Sequence, residues 1–156
     1  MTNLKPLLTR PLRPVSNKII IFAFLVALIG FCDATYLSIE HFRGVVPPCS
    51  ITAGCEKVLT SSYAVVAGIP VSLAGSFYYL VVLIGLLAYL ESGNLKILKQ
   101  TLFLTFLGLL ASLGFIYVQV FIIGSYCLYC MGSAITSTIL FVTAVGIINS
   151  QPHFHE

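Results

Sequence analysis

The run CLYCMGSAITSTILFVTAVGII, Cys127 to Ile148, holds no charged residue and meets the length of about twenty apolar residues that a helix needs to cross a bilayer. It also opens with two cysteines spaced C-x-x-C. On a helix, Cys127 and Cys130 fall an (i, i+3) step apart on one face, within reach of a disulfide, with Cys127 in the first turn. The backbone dipole favours a thiolate there, so the pair reads as redox-poised. The competing reading is two small apolar residues packed in a membrane helix.

Three further runs pass the same length test: Lys18 to Ile39, Ile69 to Leu90 and Ile97 to Ile123. Over 156 residues the chain is 58% hydrophobic and 8% charged, with a mean hydropathy of +1.03, more apolar matter than a soluble domain of this size can bury. The expectation is an all-α integral membrane protein, a four-transmembrane-helix bundle forming one domain over residues 18–149. Glycines and serines recur in the last three runs, as helix packing in lipid prefers. No small-residue cleavage site follows the first run, so it reads as a retained span. Residues 1–17, broken by Pro6, Pro11 and Pro14, read as a cytoplasmic tail, and residues 150–156 as a second, in which His153 and His155 are solvated.

Positive charge sets the orientation. Lys5, Arg10, Arg13 and Lys18 precede the first span with no acid among them, and Lys96 and Lys99 flank the connection between the second and third. Both regions belong on the cytoplasmic side. Four crossings then put the cysteines at 49, 55, 127 and 130 toward an oxidising compartment, where dithiol chemistry means making disulfides. The charge pattern shows no nucleic-acid patch.

An outer loop and an interfacial half-helix occupy about residues 40–67. Pro47 and Pro48 stiffen the approach to Cys49, and Gly54 suits a sharp turn before Cys55. This C-x5-C closes into a static disulfide that pins the loop, or opens to present Cys49 to a partner protein. Beyond it Val58, Leu59, Ser62, Val65 and Val66 make one stripe of a short helix over Glu56 to Ala67, a lid across the bundle mouth. Its hydroxyls at Thr60, Ser61 and Ser62 are lid surface or donors to a polar ligand head. Inside the first span, Asp33 is an intramembrane carboxylate, a functional candidate or a hydrogen-bonding group, and Cys32 reads as packing.

Taken in order, Cys49, Cys55, the CEKVLTS run ending at Ser61, the GIPVSLAG segment from Gly68 to Gly75 and the Cys127-x-x-Cys130 pair resemble the vitamin K epoxide reductase family, over about Lys18 to Ile148. The glycine-proline segment resembles its bacterial branch. That resemblance implies a four-helix bundle around a quinone, roofed by a half-helix, in a bacterial inner membrane. It implies a membrane quinone reductase and thiol oxidase that takes electrons from a thioredoxin-like (DsbA-type) protein and so supports disulfide formation. Cys49 is then the partner-facing thiol, Cys55 the relay that attacks Cys127, and Cys130 the cysteine that reduces a quinone of ubiquinone, menaquinone or plastoquinone type. Ser61 is a hydrogen-bonding residue beside that quinone. Val71 and Ala134 stand at quinone-site positions where the vertebrate enzymes carry asparagine and tyrosine. Many bacterial relatives carry a fused thioredoxin-like domain, and the chain's end at Glu156 leads to the expectation of a separate partner.

Three alternatives stand beside this. A reductase of vitamin K epoxide or quinone proper fits less well because of Val71 and Ala134. The DsbB type of oxidase also has four spans and two cysteine pairs, but carries its C-x-x-C in the first outer loop, whereas here that pair opens the fourth span. A four-cysteine metal-binding or transport protein would need more outer-face ligands than His41 adds, so no metal is expected.

Overall fold

The computed structural model describes residues 16–48 and 54–149. Four long helices, α1 (Asn17–Arg43), α3 (Val71–Ser92), α4 (Leu95–Tyr117) and α5 (Leu128–Asn149), form the bundle. A short helix, α2 (Gly54–Leu59), and a two-stranded antiparallel hairpin, β1 (Val65–Val66) and β2 (Ile69–Pro70), lie between α1 and α3. A π-helical segment, Val118–Ile123, extends α4, so that Leu95–Ile123 is one apolar span. All four long helices are long and apolar enough to cross a membrane. Their outward faces are the apolar ones, with Phe22, Ile29, Phe77, Ile84, Phe103 and Val142 exposed, as suits a surface solvated by hydrocarbon.

Each long helix packs against two others, α1 on α3 and α5, and α4 on α3 and α5, closing a ring. The ring is filled at one end only. Ile20, Ala23, Val26 and Ala27 of α1 meet Val82, Leu83, Leu86 and Tyr89 of α3, Leu98 and Leu102 of α4, and Leu140, Ala144 and Ile147 of α5. These come from the start of α1 and α4 and the end of α3 and α5, the end that carries Lys18, Lys96 and Lys99. At the other end the four helices stand around a cavity, and α2 and the hairpin cover it.

Close approach depends on a missing Cβ at two places. A side chain at Gly30 of α1 would run into the ring of Tyr79, and one at Gly108 of α4 into the hydroxyl end of Tyr78. The two adjacent tyrosines of α3 therefore reach different helices, each into a notch left by glycine, while their rings stay in edge contact with centroids 4.9 Å apart.

The roof departs from expectation in three ways. First, α1 runs on to Arg43, where Gly44 ends it in the left-handed conformation at φ 66°, so Glu40, His41 and Arg43 belong to the helix and not to the loop. Second, the half-helix is six residues long and not the stretch from Glu56 to Ala67. Thr60 Oγ1 donates to the Glu56 carbonyl and Ser61 Oγ to the Val58 carbonyl, both at 2.7 Å, and the Ser61 N–H reaches back only three residues, to the Val58 carbonyl at 3.3 Å, so the helix closes in a tightened last turn. β-Branched Val65 and Val66 then pair with Ile69 and Pro70. Both residues of the connecting turn have positive φ, 52° at Ala67 and 81° at Gly68, the requirement of the primed two-residue hairpin turn. Third, Gly54 makes no turn. It is the first residue of α2, and its bare Cα lets that helix lie against the backbone of Tyr126. The expected tails, save Ser16 and Asn17, and Cys49 lie outside the described residues.

Gly30→Leu is expected to lower stability in detergent by about 1–3 kcal/mol, the usual cost of forcing volume into a packed interior. Gly114→Ala, where nothing lies within 4 Å of the added Cβ, should cause no loss, and denaturation of both variants checks the packing of Tyr79 on α1.

Candidate functional site

Two of the four cysteines expected to act meet beneath the roof. Cys55, 1% exposed on α2, and Cys127, fully buried, belong to one apolar cluster with Val58, against which Leu59, Ile123, Tyr129 and Cys130 pack. Cys55 is disulfide-bonded, whereas Cys127, Cys130 and Cys32 are free thiols. Cys32 is exposed on the outer face of α1, away from this cluster.

Cys127 lies just before α5 and not in its first turn. It caps the helix. Its carbonyl accepts from the Met131 N–H at 3.0 Å, and its sulfur accepts from the Cys130 N–H at 3.4 Å. A side-chain acceptor that takes the third N–H of a helix is the ordinary capping geometry, here made by sulfur. Its pKa is lowered from 9.0 to about 7, chiefly by a hydrogen bond from the Cys130 side chain, with the N–H groups of Cys130 and Tyr129 adding to it. Burial and the Asp33 charge oppose that effect. A larger share of Cys127 is thus thiolate, the nucleophilic form, at neutral pH than for an ordinary cysteine.

The Cys127 backbone is held by a residue that sequence reasoning passed over. Gln119, 4% exposed in the π-helical segment, accepts the Cys127 N–H on its side-chain Oε1 at 3.0 Å. Its own carbonyl accepts from the Ser125 N–H at 3.1 Å. One side chain and its backbone thereby fix the whole connection from Gly124 to Cys127. The available signal was a lone amide inside an apolar span, since a buried polar group must find a partner.

Below the cysteines lies a cavity of about 850 Å³, inside the range of roughly 300–1,000 Å³ usual for small-molecule sites. Its walls come from the last turns of α1 (Ala34, Leu37, His41), the start of α3 (Val71, Ser72, Gly75, Tyr78, Tyr79), the end of α4 (Gly108, Ala111, Phe115, Gln119) and the start of α5. Val58, Leu59, Ser61 and Tyr63 roof it. Cys130 lines it and Cys127 does not, so the dithiol straddles the boundary between the cysteine cluster and the cavity. Ser61, Val71 and Ala134 all line it too. Ser62 does not line the cavity and is exposed. The single proton of the Ser61 hydroxyl is donated to Val58, so toward the cavity that oxygen offers lone pairs.

Polar groups around the cavity are mostly satisfied within the protein. The Tyr79 hydroxyl donates to the Ser133 carbonyl at 2.7 Å and lies 2.7 Å from Thr136 Oγ1. Among buried polar side-chain atoms of the described residues, Asp33 Oδ2, Tyr78 Oη and Ser137 Oγ have no hydrogen-bond partner. Asp33 lies close enough to Cys127, Cys130 and Tyr79 for its charge to act on each of them.

The family model described as the vitamin K epoxide reductase family matches residues 21–145 of the chain. Thiol-disulfide oxidoreductase LTO1 of Arabidopsis thaliana is 37% identical over 128 residues, which are 76% of this chain and 34% of that protein. The chain therefore spans about a third of the length of this relative.

The lowered Cys127 pKa gives a pH dependence with a fixed sign. Thiolate absorbance should rise through about pH 7 in protein carrying Cys32→Ser with the outer disulfide intact, and be lost below it. Cys130→Ala removes the largest cause and should move the midpoint upward; an unmoved midpoint in an ultraviolet titration would remove Cys130 as the donor.

Proposed function

The chain belongs to the vitamin K epoxide reductase family, and we propose that it is a membrane thiol:quinone oxidoreductase that sustains disulfide formation in a thioredoxin-like protein. The observation that carries this is the dithiol at the cavity wall, with Cys127 packed on Cys55 and Cys130 lining an apolar cavity of ligand size. The name of the Arabidopsis relative supports the thiol-disulfide half of the reaction. The largely apolar walls of the cavity support the quinone half.

The electrons balance in three exchanges. The dithiol of the partner reduces the Cys49–Cys55 disulfide, leaving as its own disulfide. Cys55, as thiolate, attacks the sulfur of Cys127 in an oxidised Cys127–Cys130 pair, and Cys49 then resolves the mixed disulfide, so the outer disulfide re-forms and the inner dithiol is released. The inner dithiol finally gives two electrons and two protons to a quinone bound in the cavity, yielding quinol and the Cys127–Cys130 disulfide. A disulfide at Cys55 beside free thiols at Cys127 and Cys130 corresponds to the stage that stores both electrons next to the cavity. Cys127 suits the exchange step because it packs against Cys55, and Cys130 suits the last step because it lines the cavity.

The concentration of lysines at the packed end supports an outward-facing site in a bacterial inner membrane, with the roof on the periplasmic side. Purified protein given a reduced thioredoxin-like partner should consume quinone; no consumption with any partner would sink the proposal. Cys130→Ala should abolish quinone reduction and leave the loop pair able to exchange disulfides with the partner, and undiminished turnover would take Cys130 out of the path. Cys49→Ala should block transfer from the partner and leave reduction driven by dithiothreitol in place.

Ser61 separates two roles for the roof. If its hydroxyl turns from Val58 to the quinone oxygen as charge develops there, Ser61→Ala should cost on the order of 10²-fold in rate. Ser62→Ala, outside the cavity, should stay within about 0.5 kcal/mol of wild-type stability and keep full turnover. The reverse order of damage would place the wrong face of the roof over the quinone.

A further inference from the structure

The far end of the cavity holds two buried hydroxyls that meet hydrogen-bond geometry with no group among the described residues. Ser137 is 2% exposed and lies two helical turns below Cys130 on α5, and Tyr78 reaches it from α3 across the notch at Gly108. Both line the cavity and both oxygens are buried. The Tyr78 hydroxyl has Ser137 as a hydrogen-bonding neighbour at loose geometry, so the two serve each other only in part.

A buried serine on a helix ordinarily folds back onto the carbonyl four residues earlier. For Ser137 that acceptor is the Ser133 carbonyl. It is already taken by the hydroxyls of Tyr79 at 2.7 Å and Thr136 at 2.9 Å, besides the helix. Tyr78 lies with its hydroxyl end over a glycine and finds no carbonyl there. Leaving a buried hydroxyl unpaired is unfavourable, so two of them converging on one cavity point to an acceptor that comes from outside the chain. Of the other residues singled out around the cavity, Ser61 donates to Val58, Tyr79 to Ser133, and Val71 and Ala134 carry no donor.

Resting on the quinone reading above, we infer that Tyr78 and Ser137 form the second anchor of the cavity, both donating to the carbonyl oxygen of a para-quinone that lies farther from Cys130. The ring is then held between a thiol at one oxygen's end and two O–H donors at the other. The class of ligand selected is one with two carbonyl oxygens across a flat ring, in preference to an apolar lipid or a ligand with a single polar head.

The test uses the full-length protein in detergent with its inner pair oxidised, and decylubiquinone as probe. Ser137→Ala and Tyr78→Phe should each weaken binding by about 3- to 10-fold, the worth of one neutral hydrogen bond. The double variant should lose less than the product, because the two donors share one oxygen. Without quinone, both variants should melt at or above the wild-type temperature, since each removes an unsatisfied hydroxyl, and the rise in melting temperature on adding quinone should shrink. Affinities within twofold of wild type would overturn the inference. So would a fall in melting temperature without quinone, which would mean that the two hydroxyls serve each other. A wild-type protein that binds no decylubiquinone and reduces no quinone would overturn the parent reading itself, whereas wild-type binding with unaffected variants sinks this inference alone.

Discussion

Hydrocarbon offers no partner to a backbone amide, so every N–H and C=O inside the membrane must be paired within its own helix or be buried in protein. That constraint decides where chemistry is possible here. Helices α1, α3, α4 and α5 run unbroken through the packed end, and irregular backbone collects at the other: the π-helical turn, the Gly124–Cys127 connection, α2 and the hairpin. The Cys127 N–H is bonded by Gln119 for the same reason. A single amide side chain answers the demand and in doing so sets the position of a reactive sulfur.

Around this the cysteines divide into two environments separated by one helical turn. Cys127 faces upward into an apolar cluster with Cys55, and Cys130 faces the cavity. The spacing C-x-x-C at a helix start achieves this with few other requirements, because the first sulfur caps the helix and the fourth position follows on the same face. One turn of α5 thus separates a sulfur packed on Cys55 from one that lines the cavity.

The sequence carried the four spans openly, since long runs without charge have few other interpretations, and it carried the dithiol through its spacing. The roof was harder to read. Val58, Leu59, Val65 and Val66 fit a helical stripe, but the Ala67-Gly68 turn acts on the backbone itself, and periodicity does not register it. Gln119 showed only as a lone amide in an apolar span, and Tyr78 and Ser137 gave no signal, for another reason. Their meaning depends on which neighbours are already occupied, such as the Ser133 carbonyl, and occupancy is a property of three dimensions. Gly54 shows the same limit, since a glycine wanted for close approach to Tyr126 looks in sequence like one wanted for a turn.

The bundle is filled at one end and hollow at the other, and this separates two kinds of selection along each helix. On α4, a change at Leu98 or Leu102 acts on the glue that holds the ring together, whereas a change at Ala111 or Phe115 reshapes only the wall of the chamber. Such a molecule is free to drift in what it admits while its frame stays intact. Relatives that admit ligands of different width would be reached by short steps, each confined to the hollow half of the bundle.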